Sequence, residues 1–207
     1  MTAPARVLDR SVLRDIHRFW FGELRAPADH DKERTAIWYQ RSDATDREIG
    51  EKFGAFIPEA AATVWDVGAL SREEGVALVV LLDQFPRNLF RSSGEAFAYD
   101  WRAREIARAL LATGFGRFFW VERIALVLPF EHSEEVADQD YAVWLSAELA
   151  VGAPENLREL CRGTLDYATR HRDVIRKFGR FPHRNALLGR ESTAAEAAFV
   201  AEKGRGW

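Results

Sequence analysis

The sequence predicts an all-α chain, and three observations carry the prediction. Apolar residues recur at helical spacing almost throughout the 207 residues. No segment shows the clean apolar–polar alternation between turn signals that marks a half-buried strand. Capping residues and Gly or Pro stops divide the chain into helix-length pieces. Hydrophobic residues make up 47% of the chain, enough for a full core. With no Gly- or Ser-rich linker between the pieces, residues 1–207 read as a single helical domain.

The first helix places Val12, Leu13, Ile16, Phe19 and Trp20 on one face and stops near Gly22. Residues 23–35, with Pro27 and mixed charges, read as a loop. A second helical region carries Ile37, Trp38, Ile49, Phe53 and Phe56, with an interruption at Pro58. Ser71 and Glu74 form a capping box ahead of the run Val76 to Leu82, which is apolar all round and should be central. Further helices are expected over about 93–112, 117–128, 133–150, 155–177 and 193–203. Gly114 and Gly116, Pro129, Pro154 and the stretch 179–189 separate them.

Twenty-nine Lys and Arg against 32 Asp and Glu leave a net charge of −3, with no general electrostatic footprint for nucleic acid or an anionic membrane. The longest apolar run, Val76 to Leu82, falls far short of the roughly 20 residues that span a bilayer. Cys161 is the only cysteine and sits at helical spacing among Leu157, Leu160, Leu165 and Ala168, so it reads as a small core residue in a reducing compartment. Met1 to Asp9 lacks the basic-then-apolar layout of a secretory leader. A soluble, cytoplasmic protein is expected.

One phrase occurs twice. Phe85-Pro86-Arg87-Asn88 and Phe181-Pro182-His183-Arg184-Asn185 each follow a helical stretch and run on to an arginine, Arg91 or Arg190, and a helix-start signal at Ser92 or Thr193. Each reads as a proline turn between two helices that presents cationic and amide side chains. Asp83 lies just before the first copy, near the C-terminal end of the apolar helix, where the macrodipole disfavours a negative charge. A buried carboxylate there needs a cation, and Arg87, Arg184 and Arg180 are the candidates, with Gln84 beside it as donor and acceptor.

Leu128 to Glu134 is the second focus. Ser133 suits a helix N-cap, which leaves Glu131 and His132 just outside the helix as a carboxyl and an imidazole able to orient a ligand or exchange a proton. His171 falls within an apolar stripe and should face inward, either as a hydrogen-bonded core residue or as a ligand contact. His183, between Arg180 and Arg184, should stay neutral.

Residues 170–190 carry seven basic side chains against Asp173 alone, and residues 129–140 carry five acids without a basic residue. The two segments can dock on each other. Alternatively some guanidinium groups of Arg87, Arg180, Arg184 and Arg190, with Asn88 and Asn185, are left to receive a carboxylate or phosphate. No HExxH, CxxC, GxSxG or SxxK spacing occurs, so neither a metal nor a nucleophilic serine is expected, and no cofactor is called for.

The strings LLDQFPRNLFR at 81–91, LPFEHSE at 128–134 and the segment from His171 to Thr193 that contains FGRFPHRNALLGR together resemble the bacterial domain-of-unknown-function family 924. Phe19 to Gly22, Gln139, Glu196 and Phe199 match as well, so the resemblance covers nearly the whole chain. It implies an all-α domain of antiparallel helices with tetratricopeptide-repeat-like packing. It implies little about activity, because fold does not settle function. The residue types favour binding of a small anionic molecule or a peptide carboxylate. The alternative is an enzyme in which Glu131, His132 or His183 moves a proton. A third reading makes every charge structural and puts the working surface at an oligomer contact.

Overall fold

The computed structural model describes residues 7–203, and among these every regular element is helical. In chain order they are α1 (Arg10–Phe21), α2 (Lys32–Tyr39), α3 (Asp43–Phe53), α4 (Ile57–Ala62), α5 (Arg72–Leu89), α6 (Asp100–Ala112), α7 (Trp120–Glu131), α8 (Val136–Gly152), α9 (Arg158–Phe178) and α10 (Ala194–Lys203), joined in places by short 3-10 turns. The chain start, on which the reading of no leader rests, lies outside the described residues up to position 6. No described helix is long and apolar enough to cross a membrane.

Local chemistry sets most boundaries. Asp9 caps α1 by accepting from the backbone N–H of Ser11 and Val12 at 2.8 and 3.0 Å, and Gly22 ends it at φ 75°, a conformation that favours glycine. The capping box of α5 is present: Ser71 Oγ accepts from Glu74 N at 3.2 Å, and Glu74 Oε2 accepts from Ser71 N at 3.0 Å. Residues 76–82 of α5 are all buried. They pack α5 against α1, α3, α4, α6 and α7, while α7 packs on α8 and α9 and α8 lies along α9. One connected hydrophobic cluster runs from Leu8 to Cys161, and a smaller one gathers Val174, Ile175 and Phe181 under Phe178 and Phe199. Burial raises the Cys161 thiol to about 11, which leaves it unreactive at neutral pH.

Four boundaries differ from the sequence reading. The loop expected over 23–35 gives way to α2 at Lys32, because the Asp31 carboxylate accepts from the N–H of Glu33 and Arg34 at 3.0 and 3.1 Å. Ser133 is not the N-cap of α8. Glu135 holds that place, and Ser133 Oγ instead accepts from Glu135 N at 3.2 Å and donates to Asp138 at 2.8 Å. Pro86 and Pro129 do not end their helices but sit inside α5 and α7. Each removes one backbone donor, from the carbonyls of Leu82 and Ala125. The turns beyond them stay helical because Phe85 and Phe130 are fully buried and Arg87 is held by Asp100. The repeated phrase therefore has two shapes: α-helix at Pro86 and a 3-10 turn over Pro182–Arg184.

Candidate functional site

A cavity of about 890 Å³ opens between the C-terminal halves of α5 and α7, helix α9, helix α2 and the turn over Pro182–Arg184. Ile37, Trp38, Leu128, Leu160 and Tyr167 give it an apolar body. Gln84, Arg87, Glu131, His132, His171 and Arg184 give it a polar end.

The polar end is organised by Asp83, which is fully buried behind the lining. His132 Nδ1 lies 2.9 and 3.0 Å from its two carboxylate oxygens, Gln84 Nε2 donates to it at 2.5 Å, and Arg87 Nη1 stands 3.5 Å away. Burial alone would push the Asp83 carboxyl up, but His132, Arg87 and the hydrogen bonds hold it near 2, so it is ionised at neutral pH. The expected cation at Asp83 is thus Arg87, joined by the His132 imidazole in a pairing the sequence did not point to. Burial and the Arg87 charge, in that order, lower the pKa of His132 despite Asp83. A neutral ring whose Nδ1–H donates to the carboxylate carries its lone pair on Nε2, the arrangement of a proton acceptor.

Glu131 ends α7 and His132 caps it, so both lie at a helix C-terminus rather than ahead of α8. Gln139 supports this corner from α8 by donating its Nε2 to the Glu131 and Ser133 carbonyls at 2.6 and 2.7 Å. Glu131 is 0% exposed, and neither carboxyl oxygen has a hydrogen-bond partner among the described residues. Burial first and the Asp83 charge second raise it to about 8, so it keeps its proton at neutral pH. His171 donates Nδ1–H to the Tyr167 carbonyl at 2.9 Å, and burial lowers it to about 3. His183 is lowered to about 4 by burial and by Arg184. The imidazoles of this end are all neutral at pH 7.

The arginines of the two phrases meet here. Arg87 makes a two-pronged bond to Asp100 at 2.8 and 2.9 Å and donates to the Asp83 carbonyl at 2.6 Å. Arg184 is 6% exposed, lies between the rings of Phe97 and Phe181 at 4.5 and 4.4 Å, and donates Nη1 to the His132 carbonyl at 3.0 Å. Its distance to Asp100 is 3.7 Å, and its Nε has no partner among the described residues. Burial and Arg87 lower it to about 10, a sign that its charge is incompletely balanced.

Of the residues singled out from sequence, Glu131, His132, His183, Gln84, Arg87, Asn88, His171 and Arg184 line the cavity, with Asp83 directly behind. Arg180, Arg190 and Asn185 do not. Arg180 is held by Glu196 at 2.7 and 2.9 Å, Arg190 by Glu134 at 2.6 and 2.9 Å, and Asn185 donates to Ser192 at 3.0 Å. Asn88 donates to Asp46 at 2.7 Å. The basic and acidic segments thus dock in part, through Arg190 with Glu134 and Arg176 with Asp140 at 2.6 Å. Asp100, Phe97, Trp38 and Tyr167 were not read as site residues. Asp100 had no signal, because the helix expected over about 93–112 put it in a helix interior rather than at the helix start it takes; the aromatics had none either, since aromatic residues at helical spacing are ordinarily core.

A solved structure of a protein of unknown function from Agrobacterium tumefaciens is similar over 93% of this chain and 98% of its own, at 32% identity and a TM-score of 0.78. No curated protein matches. The family model described as bacterial protein of unknown function (DUF924) matches residues 16–204, and the chain belongs to that family.

Proposed function

We propose that the chain is an enzyme that binds a small organic molecule in this cavity and moves a proton through His132. The observation that carries the reading is the buried Asp83 carboxylate against His132 Nδ1 at 2.9 Å, in the wall of a cavity of about 890 Å³. A carboxylate so placed fixes the tautomer and orientation of an imidazole and stabilises the imidazolium formed when Nε2 takes a proton. Glu131, the adjacent residue, is a carboxylic acid protonated at neutral pH in the unliganded chain, with a proton to pass on when a ligand binds. Paired groups whose surroundings push their pKa values apart are the usual form of an acid–base site. The Arg184 guanidinium, with limited balancing charge, suits negative charge that develops on the reacting molecule.

Two measurements test this. Nitrogen NMR of the imidazoles should show His132 neutral at pH 7 with its proton on Nδ1; a proton on Nε2 removes the acceptor and the reading with it. Turnover screening across ester, amide, elimination and isomerisation substrates should then give an activity that His132→Ala abolishes. Equal turnover in the variant rules the assignment out.

A second reading, binding without chemistry, rests on a different observation. Arg184 Nε is buried without a partner among the described residues, and a ligand carboxylate or phosphate would fill that position. Tight binding of an anion that Arg184→Gln loses, with no turnover of any substrate tried, favours this second reading.

A further inference from the structure

Two groups at the polar end of the cavity have buried polar atoms with no partner among the described residues: the protonated carboxyl of Glu131 and the Arg184 Nε–H. Asp83 and Asp100 are both served by Arg87, which bonds Asp100 at 2.8 and 2.9 Å and stands 3.5 Å from Asp83, while Arg184 is 3.7 Å from Asp100 and makes no hydrogen bond to it. That account leaves nothing for Glu131, whose two oxygens are buried and unbonded. It also leaves the Arg184 Nε–H unbonded. Buried polar groups without partners are rare and each calls for an explanation. The two lie close together along the chain of contacts, because Arg184 Nη1 donates to the carbonyl of His132, the residue that follows Glu131.

We infer that the ligand of this cavity is an amino-acid-like zwitterion, its ammonium received by Glu131, its carboxylate by Arg184, and its side chain laid along Trp38, Leu128, Leu160 and Tyr167. The inference rests on the cavity being the ligand site, as proposed above, and adds the class of molecule. An ammonium alone would leave the Arg184 Nε–H unbonded, and an anion alone would leave the Glu131 carboxyl unbonded. A zwitterion satisfies both, with the proton that Glu131 holds leaving as the ammonium takes its place. The apolar wall fits a hydrophobic or aromatic side chain, and His132 lies between the two charged ends in sequence and in contact.

The protonation states agree with this arrangement. Glu131 holds a proton that it would give up on pairing with an ammonium, so binding should release close to one proton near pH 7. The titratable and charged groups around it are Asp83 and Arg87 from α5, His132 at the end of α7, Tyr39 from α2, Tyr167 and His171 from α9, and His183 and Arg184 from the turn. Neither the Glu131 oxygens nor Arg184 Nε is open to water, so a wall side chain must move before the ends engage, and association should be slower than simple collision.

The test is calorimetric titration of the full chain with L-phenylalanine and L-leucine beside 3-phenylpropionate, which lacks the amine, and phenethylamine, which lacks the carboxylate. At least one amino acid should bind about tenfold tighter than either single-charge analogue. Its heat should vary with buffer ionisation as proton release requires. Glu131→Gln should reduce phenylalanine to the affinity of 3-phenylpropionate, and Arg184→Gln to that of phenethylamine, with Arg184→Lys as the variant that keeps the charge. Should a variant fail to fold by circular dichroism, the analogue comparison on the unaltered chain decides. Equal affinity for a single-charge analogue, or no binding by either amino acid, overturns the inference. Because the readout is binding, a chain that takes the zwitterion without turning it over sinks the enzymatic reading alone, and turnover of a molecule without an amine sinks this one alone.

Discussion

His17 with Glu122 and His132 with Asp83 are both buried imidazole–carboxylate contacts with an arginine alongside, yet they do different work. In the first, Glu122 Oε1 meets His17 Nε2 at 2.6 Å and also Arg72, while Oε2 accepts the Phe119 N–H at 2.7 Å. Arg72 then covers the Phe119 ring at 3.6 Å. Nothing in this cluster borders the cavity, and it ties α1, α5 and α7 together. In the second, the same chemistry stands in a cavity wall, next to a carboxyl and a guanidinium nitrogen that the protein leaves unbonded. A buried ionic cluster is by itself evidence of packing. The unbonded groups and the space beside them are what separate a site from a strut.

The largest effect is expected at the structural cluster. Glu122→Ala strands Arg72, His17 and the Phe119 N–H, and should cost about 3–5 kcal/mol of stability by urea denaturation; a loss under about 1 kcal/mol would remove the cluster from the frame. Asp83→Asn should instead act on chemistry. Turnover of the substrate that screening finds should fall on the order of 10²–10⁴-fold, while Glu122→Gln changes turnover little. Similar losses in both would erase the distinction.

Stability against pH sharpens the same contrast. Glu131 is raised to about 8 from an ordinary carboxyl value of 4.5, so the native chain holds a proton that the unfolded chain has released. Its contribution is present below about 4.5 and is lost as pH climbs through about 8. His171 and His183, lowered to about 3 and about 4, act in the other sense: their contribution is present above 6.5 and is lost as pH falls. Glu131→Gln should flatten the loss between pH 5 and 8 and leave the acid limb unchanged; an unaltered slope would show that Glu131 is not the group responsible. The smallest effect is expected at Arg190→Ala. Its pair with Glu134 is partly exposed, so the cost should stay near 1 kcal/mol or below, with ligand affinity unchanged. A lost affinity would return Arg190 to the site.

Much of the fold was legible because helical pattern is local. The central position of α5 followed from seven apolar residues in a row, and the need of Asp83 for a cation followed from its place at the end of them. Two of the four misread boundaries, at Pro86 and Pro129, share one cause: a proline states a preference against the helix worth about 3 kcal/mol, and burial of a neighbour such as Phe85 or Phe130 offsets it. The site was legible in residue type more than in partnership. Glu131, His132, Arg87 and Arg184 stood out in sequence, but the contact between His132 and Asp83 spans 49 positions and no spacing rule reaches across it.

By itself, the sequence determined an all-helical family member with a buried acid before a proline and two arginine-bearing phrases, since periodicity, capping and composition act within a few residues. Only the tertiary structure decided which charges were used up. Arg180 and Arg190 went to Glu196 and Glu134, Arg87 went to Asp100, and Glu131 was left unbonded beside a cavity. Hydrogen bonds and ion pairs weaken sharply with an ångström of displacement, so helix packing, rather than the list of charges, selects the partners.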